Sequence, residues 1–222
     1  MKQTDVTTSQ LFSSIPDYMQ DLFSDTEYPW EILDRIGEYI DSIYNDLITR
    51  GYSEIKPGVL AGERTVIAKS AYIESPAIIG PNSEIRHCAF IRGNVITGEG
   101  CVIGNSTEVK NSVLFNNVQV PHFNYVGDSV LGNKSHLGAG AVCSNVRQDK
   151  SNITVKTEPP IATNRRKFGA IICDNVEIGC GSLINPGSII GHSSRIYPLT
   201  SVRGVIDANC IAKSSDEIVP IK

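Results

Sequence analysis

The chain has 222 residues, 41% of them hydrophobic, which is enough to bury a substantial core; 20 Lys and Arg against 24 Asp and Glu leave a net charge of −4. That balance excludes a general nucleic-acid binder, which needs a basic excess to neutralise phosphates. No apolar run approaches the roughly 20 residues that cross a bilayer, and the opening MKQTDVTTSQ lacks the apolar centre of a secretion signal, so a cytoplasmic protein with no membrane partner is expected.

In chain order, Ser14-Ile-Pro-Asp-Tyr reads as the start of a short helix, with Ser14 as cap and Pro16 in the first turn. From Pro29 to Arg50 the apolar residues Ile32, Leu33, Ile36, Ile40, Ile43, Tyr44 and Leu47 recur three and four apart, the pattern of an amphipathic helix, and Gly51 is placed to stop it. Residues 1–55 are therefore expected to form a helical segment packed on the rest.

The texture changes near Val59. Ile67, Ile73, Ile79, Ile85, Ile91, Ile103, Val109 and Phe115 share one six-residue register, with Thr97 its weak member. Two places before each stands a small or β-branched residue: Thr65, Ala71, Ala77, Ser83, Ala89, Val95, Cys101, Thr107 and Val113. The register slips around Pro121 to Gly127, resumes at Leu131, Leu137 and Cys143, and returns at Ile172, Ile178, Ile184, Ile190, Ile196 and Val202. Neither a 3.6-residue nor a two-residue period generates this. It predicts a mainly β solenoid over 56–222, in which each six-residue unit is one side of a triangular coil and coils stack about 4.8 Å apart. Gly80, Gly104, Gly132, Gly138, Gly179 and Gly191 each follow an inward aliphatic, where a side chain would crowd the corner.

The repeat resembles the hexapeptide pattern of the left-handed parallel β-helix family, which supplies the handedness. Uncapped coil ends invite edge-to-edge pairing, so the N-terminal helices are expected to cover one end, and a flat face to pack on sister chains. Between Asn145 and Phe168 the rhythm is lost. The loop 146–168, VRQDKSNITVKTEPPIATNRRKF, reads as an extruded loop or hairpin standing off the prism, and its Arg165, Arg166 and Lys167 as an anion site. The six cysteines form no Cys-x-x-Cys pair and read as small buried residues.

One stretch concentrates chemistry: QVPHFNYVGDSVLGNKSHLGAGAVCSN, 119–145, holds two of the four histidines, a tyrosine and a Gly-Ala-Gly that lets another molecule approach the backbone. The segments NSTEVKNS (105–112), PHFNYVGDSVLG (121–132), LGAGAVCSN (137–145) and NRRKFGAIICDN (164–175) resemble the C-terminal acetyltransferase half of the bifunctional sugar-1-phosphate nucleotidylyltransferase/acetyltransferase family, archaeal members above all. Tyr28-Pro-Trp-Glu-Ile-Leu is similar to the link between that family's halves. The nucleotidylyltransferase half has no counterpart: Gly37 is the first glycine, so no glycine-rich phosphate loop precedes it.

The resemblance implies an acetyl-CoA-dependent N-acetyltransferase acting on an amino-sugar phosphate resembling glucosamine 1-phosphate, in UDP-GlcNAc biosynthesis. It also implies a homotrimer with sites in the clefts between prisms. His122 is implied as the general base; the attacking amine must be neutral, and a sugar amine flanked by oxygens is acidic enough for imidazole to take its proton. Arg92, Lys110, Tyr125 and Lys167 are implied in the sugar-phosphate pocket, where cations clamp phosphate oxygens and a phenol bonds a hydroxyl. Ala139, Asn145, Gly179 and Cys180 are implied along the cofactor. By charge alone, Arg203 and Lys213 are candidates for its phosphates. One departure stands in the substrate set: His136 occupies the place of a family asparagine. A noncatalytic prism that binds sugar nucleotides or partners a separate nucleotidylyltransferase remains an alternative. A zinc hydrolyase prism is a third, although His87, His122, His136 and His192 are poorly spaced for it and no metal is predicted.

Overall fold

The computed structural model describes residues 2–221. Two nine-stranded sheets and one seven-stranded sheet form the three faces of a prism, a left-handed β-helix, and a separate two-stranded sheet lies in the loop. Each coil lays one short strand on each face. Val59–Ala61 starts the first face, Val66–Ile67 the second and Tyr72–Glu74 the third, and Ala77–Ile79 then returns beside Val59–Ala61. Inward side chains stack coil on coil: Ile73, Ile91, Val109, Val126 and Cys143 descend the third face, all buried. Such ladders give a continuous core from strands too short to be stable alone.

The six-residue register breaks earlier than expected. Leu114 pairs with Thr97 and Ser112 with Val95, so Leu114 takes the inward place assigned to Phe115, and Ser112 is its small partner instead of Val113. One residue is lost at the corner after Lys110 and another at the same corner after Gly127, whereas Pro121 lies inside an unbroken strand, Gln119–His122. Phe115 packs instead against Phe12 and Phe23, with ring centroids 4.8 and 5.7 Å away.

Those partners belong to the N-terminal segment, which lies along the first face and not over an end. The physical reason is in the strands. Leu60, Ile78, Ile96, Val113, Val130, Ile171 and Ile189 sit beside the inward residues of the first face, so its outer side is apolar too, and all seven are buried. Burying each contributes about 1.5–3 kcal/mol. The helix Ile36–Thr49 touches the strand Val95–Thr97, and its Gly37 leaves the space that Asn94 Oδ1 occupies. Antiparallel strands cover the two ends instead, Ser53–Lys56 on Val59–Ala61 and Ile218–Pro220 on Cys210–Ala212.

The segment expected as one helix from Pro29 to Arg50 divides into a 3-10 turn, Pro29–Asp34, and the α-helix Ile36–Thr49. Gly51, at φ +92°, stops it: its N–H bonds to the Ile48 carbonyl and the Tyr52 N–H to that of Leu47. Ser14 does not cap; the turn Asp17–Met19 starts after Pro16 without a side-chain cap, and the Ser14 carbonyl accepts a bond from Asn133. Among the described residues no helix is long and apolar enough to cross a membrane.

The loop leaves and re-enters at the corner between third and first faces, and it folds back onto the protein. It contains the hairpin Thr154–Val155 with Ile161–Ala162, and Ile153 and Val155 are buried. Arg165 donates two 2.6 Å bonds to the Asp34 carboxylate, and Phe168 packs on Trp30 at 5.6 Å. Arg165 is thus a fastening between loop and helices, which removes it from the anion site expected of the basic run; Arg166 and Lys167 are exposed. Asp34→Ala should cost about 1–2 kcal/mol, since it strands a mostly buried guanidinium. It should also speed proteolysis within the loop, and an unchanged cleavage rate would remove this role.

Candidate active site

The edge between second and third faces carries His122. There the chain turns through His122-Phe123-Asn124, with Phe123 left-handed at φ 53°. Buried Asn124 fixes the turn: its Oδ1 accepts the His122 N–H at 3.1 Å, and its Nδ2 donates to the carbonyls of Gly138 and Ala141 at 2.8 and 3.1 Å. The His122 carbonyl accepts the Gly140 N–H at 2.9 Å, that of Ala139 accepts Gly181 at 2.8 Å, and that of Cys180 accepts Leu199 at 2.9 Å. His122, Ala139 and Cys180 are therefore one column, about 4.8 Å apart from coil to coil. Gly179, just before Cys180, approaches the backbone of Pro198 so closely that a Cβ would lie 2.4 Å from its nitrogen.

The column beside it runs Phe123, Gly140, Gly181, Leu199. Phe123 and Leu199 are 61% and 85% exposed; Leu199 Cδ2 lies over Gly181, 2.7 Å from where a Cβ would stand, and Gly140 leaves a shallow apolar-rimmed notch next to the exposed His122. An elongated, weakly polar chain fits such a notch, with backbone groups of the edge within its reach.

The opposite edge of the third face is built around Asp128, a buried carboxylate. Asn111 Nδ2 donates to it at 2.8 Å, Asn145 Nδ2 bonds its other oxygen, and Lys110 Nζ lies 3.4 Å away. The Tyr125 hydroxyl and Asn145 Nδ2 both lean over Gly127, where a Cβ would stand within 2.6 and 2.8 Å of them. Burial pushes the Tyr125 phenol up, with the Glu108 and Asp128 carboxylates adding to the effect, so it remains a neutral donor. Arg92 Nη1 donates to Glu108 Oε1 at 2.7 Å. Lys167 is exposed beside this edge, since the N–H of the next residue, Phe168, bonds the Asn145 carbonyl at 3.0 Å.

Thus Arg92, Lys110, Tyr125 and Lys167 gather toward one edge of the third face, and His122, Ala139, Gly179 and Cys180 along the other; Asn145, expected along the cofactor, is held by Asp128 and joins the first group instead. A three-residue strand, about 10 Å, separates the two edges. His136 is apart from both, on the second face, with Nδ1 2.8 Å from Glu177 Oε2. Lys213 is tied to Glu217 at 2.5 Å and follows a strand of the second face, whereas Arg203 follows one of the third, so those two cations do not converge. Asp128, Asn111, Glu108 and Asn124 went unassigned in the sequence. Asn111, Asp128 and Asn145 stand 17 residues apart, one coil, and that spacing was the available signal.

The cysteines are not uniformly buried. Cys101, Cys143 and Cys173 are buried, whereas Cys88 and Cys180 are exposed. Burial pushes the thiols of Cys101 and Cys143 up to about 12, and Cys173 is raised as well. Iodoacetamide at pH 8 should therefore label Cys88 and Cys180 in the folded protein and spare these three, as mass spectrometry of the digest will show. Because the raised values belong to the folded state, these groups should also weaken the fold as pH rises past the ordinary thiol range. Among the described residues, no three His, Cys, Asp or Glu side chains come together as metal ligands would.

A family model described as the GMPPB C-terminal domain matches residues 73–165. The "Bifunctional protein GlmU" of Methanococcus vannielii is 30% identical over 203 residues, covering 88% of this chain and 45% of its own. The "Bifunctional sugar-1-phosphate nucleotidylyltransferase/acetyltransferase" of Sulfurisphaera tokodaii is 36% identical over 183 residues, covering 77% of this chain and 43% of its own. Among solved structures, a mutant of AntD, an N-acyltransferase from Bacillus cereus in complex with dTDP and coenzyme A, superposes with a TM-score of 0.45 at 16% identity, over 76% of this chain and 89% of that one. The chain spans less than half the length of both curated relatives. It is a hexapeptide-repeat left-handed β-helix protein, related along most of its length to archaeal bifunctional nucleotidylyltransferase/acetyltransferase proteins.

Proposed function

We propose that this protein is an acetyl-CoA-dependent N-acetyltransferase acting on an amino-sugar phosphate, with glucosamine 1-phosphate the leading acceptor. The carrying observation is the column His122–Ala139–Cys180: an exposed imidazole at the head of a notched edge, in a chain related to proteins named for acetyl transfer. His122 takes a proton from the acceptor nitrogen as the N–C bond to the acetyl carbon forms. The C–S bond breaks, and the proton returns to the departing thiolate. Ala139, Gly179 and Cys180 line the path of the pantetheine arm, where main-chain contact suffices.

Lys110, Arg92, Tyr125, Asn145 and Lys167 hold the sugar phosphate, with Asp128 fixing Lys110 and Asn145 in place. The two groups lie on opposite edges of one prism, so the site is completed when a second copy brings its basic edge to the first copy's His122 edge. A homotrimer closes that arrangement with three equivalent sites. His136, held by Glu177, lies on the second face, outside both groups. A cytoplasmic location and UDP-GlcNAc biosynthesis complete the proposal.

The test is thiol release from acetyl-CoA with glucosamine 1-phosphate, galactosamine 1-phosphate and UDP-linked amino sugars as acceptors. Turnover with one of the phosphates supports the assignment. Absence of turnover with all acceptors would leave the noncatalytic binding prism.

A further inference from the structure

A cleft of about 410 Å³ opens between the first residues of the loop and the later coils of the third face, on the same edge as the Asp128 group but further along the prism. Its size is that of a small-ligand pocket. Its charge is unbalanced. Arg147, Lys156 and Arg203 line it with one carboxylate, Asp149, and that carboxylate is already taken. Arg147 grips both oxygens of Asp149 through bonds of 3.1 and 2.8 Å, and the Ser151 N–H and hydroxyl both donate to its Oδ1 at 3.0 and 2.8 Å. Lys156 and Arg203 are both exposed, and neither stands within ion-pair distance of a described carboxylate.

The two cations are brought together by the backbone. Gly204 follows Arg203 at φ +99°, and the Lys156 stem lies across it, with Cδ 3.3 Å and Cβ 3.5 Å from where a Cβ would stand. The loop thus carries Lys156 over the coil that bears Arg203. Val146 and Leu183, 41% and 39% exposed, add an apolar wall to the same cleft. Two unmatched cations beside an apolar surface suit a ligand that is anionic at one end and flat and weakly polar at the other.

We propose that this cleft binds the diphosphate of a nucleotide, with Lys156 and Arg203 on the phosphate oxygens and Val146 and Leu183 against the nucleoside. The ligand is either a free nucleoside diphosphate group, as in a sugar nucleotide, or the phosphate-bearing end of coenzyme A. For a separate nucleotide the assignment is independent of acetyl transfer, because Lys156, Arg203, Val146 and Leu183 belong to neither the His122 nor the Asp128 group; for coenzyme A it rests on the acetyl-transfer reading.

Isothermal titration of the full chain with UDP and, separately, with coenzyme A tests it. The wild type is compared with Lys156→Ala/Arg203→Ala and with a control, Lys69→Ala/Lys134→Ala, that removes two exposed cations elsewhere. At least one of the two ligands should bind the wild type, weaken with rising salt, and lose at least tenfold in affinity in the cleft variant alone. Loss confined to UDP assigns the cleft to a separate nucleotide, and loss confined to coenzyme A assigns it to the acyl donor. Binding of neither ligand to the wild type, equal binding to the cleft variant, or an equal loss in the control variant overturns the proposal. His122→Ala should leave both titrations unchanged, so failure here and failure of the acetyl-transfer assignment are read separately.

Discussion

Replacing His122 by alanine should lower kcat for acetyl transfer by about 10²- to 10⁴-fold, the usual worth of a positioned general base, while leaving the affinity for acetyl-CoA nearly unchanged. The expectation rests on what the side chain does and does not hold together. His122 is anchored through its backbone: its N–H to Asn124 and its carbonyl to Gly140. The exposed ring makes no bond on which the coil depends, so the variant should keep its wild-type melting temperature. A merely structural histidine would show the reverse, with lowered stability and preserved turnover. Asn124→Ala offers the complementary case. It removes the clamp between this turn and the Gly138 and Ala141 carbonyls, so stability and turnover should fall together.

The second large effect is on the fold. A Cβ on Gly104 would lie 1.6 Å from the Pro121 carbonyl oxygen and 2.1 Å from its carbon. Both contacts are with backbone in the adjacent coil, and no side-chain rotation relieves them. Gly104→Ala should therefore destabilise by roughly 3–5 kcal/mol, which in a chain of this size lowers Tm by roughly 6–20 °C. Activity should fall too, because Asn105 pairs with His122 in the same pair of strands. Gly51→Ala is the control. Gly51 ends a helix at positive φ with open space around its Cβ position, so alanine there should cost only about 1 kcal/mol. Equal shifts for the two variants would contradict close coil stacking as the reason for Gly104.

Much of the fold was legible because the solenoid writes its inward ladder directly into the sequence: Ile73, Ile91 and Val109 are found by counting and are stacked in space. What counting in sixes obscured is that one corner is shorter by a residue in two coils. That moved the inward place from Phe115 to Leu114 and left Phe115 to meet Phe12 and Phe23. The position of the N-terminal helices was legible in principle. Ile78, Ile96, Val113 and Ile171 make a second aliphatic ladder next to the first, and only a face covered on its outer side has use for it.

The site was legible one residue at a time but not as an arrangement. Sequence places His122 three residues from Tyr125, yet a corner lies between them, and the cations Arg92 and Lys110 follow the far end of the same face. The loop was misjudged for a similar reason. Arg165 looks like one of three equivalent cations until Asp34, 131 residues away, takes it.

The most direct measurement is the crystal structure of the protein with coenzyme A and glucosamine 1-phosphate. The acetyl-transfer assignment predicts the sugar nitrogen about 3 Å from a ring nitrogen of His122, with the thiol end of the pantetheine beside Ala139 and Cys180 and the phosphate on Lys110 and Arg92 of a neighbouring copy. A thiol seated away from the His122 edge, or a sugar bound with its nitrogen out of reach of that imidazole, would contradict it.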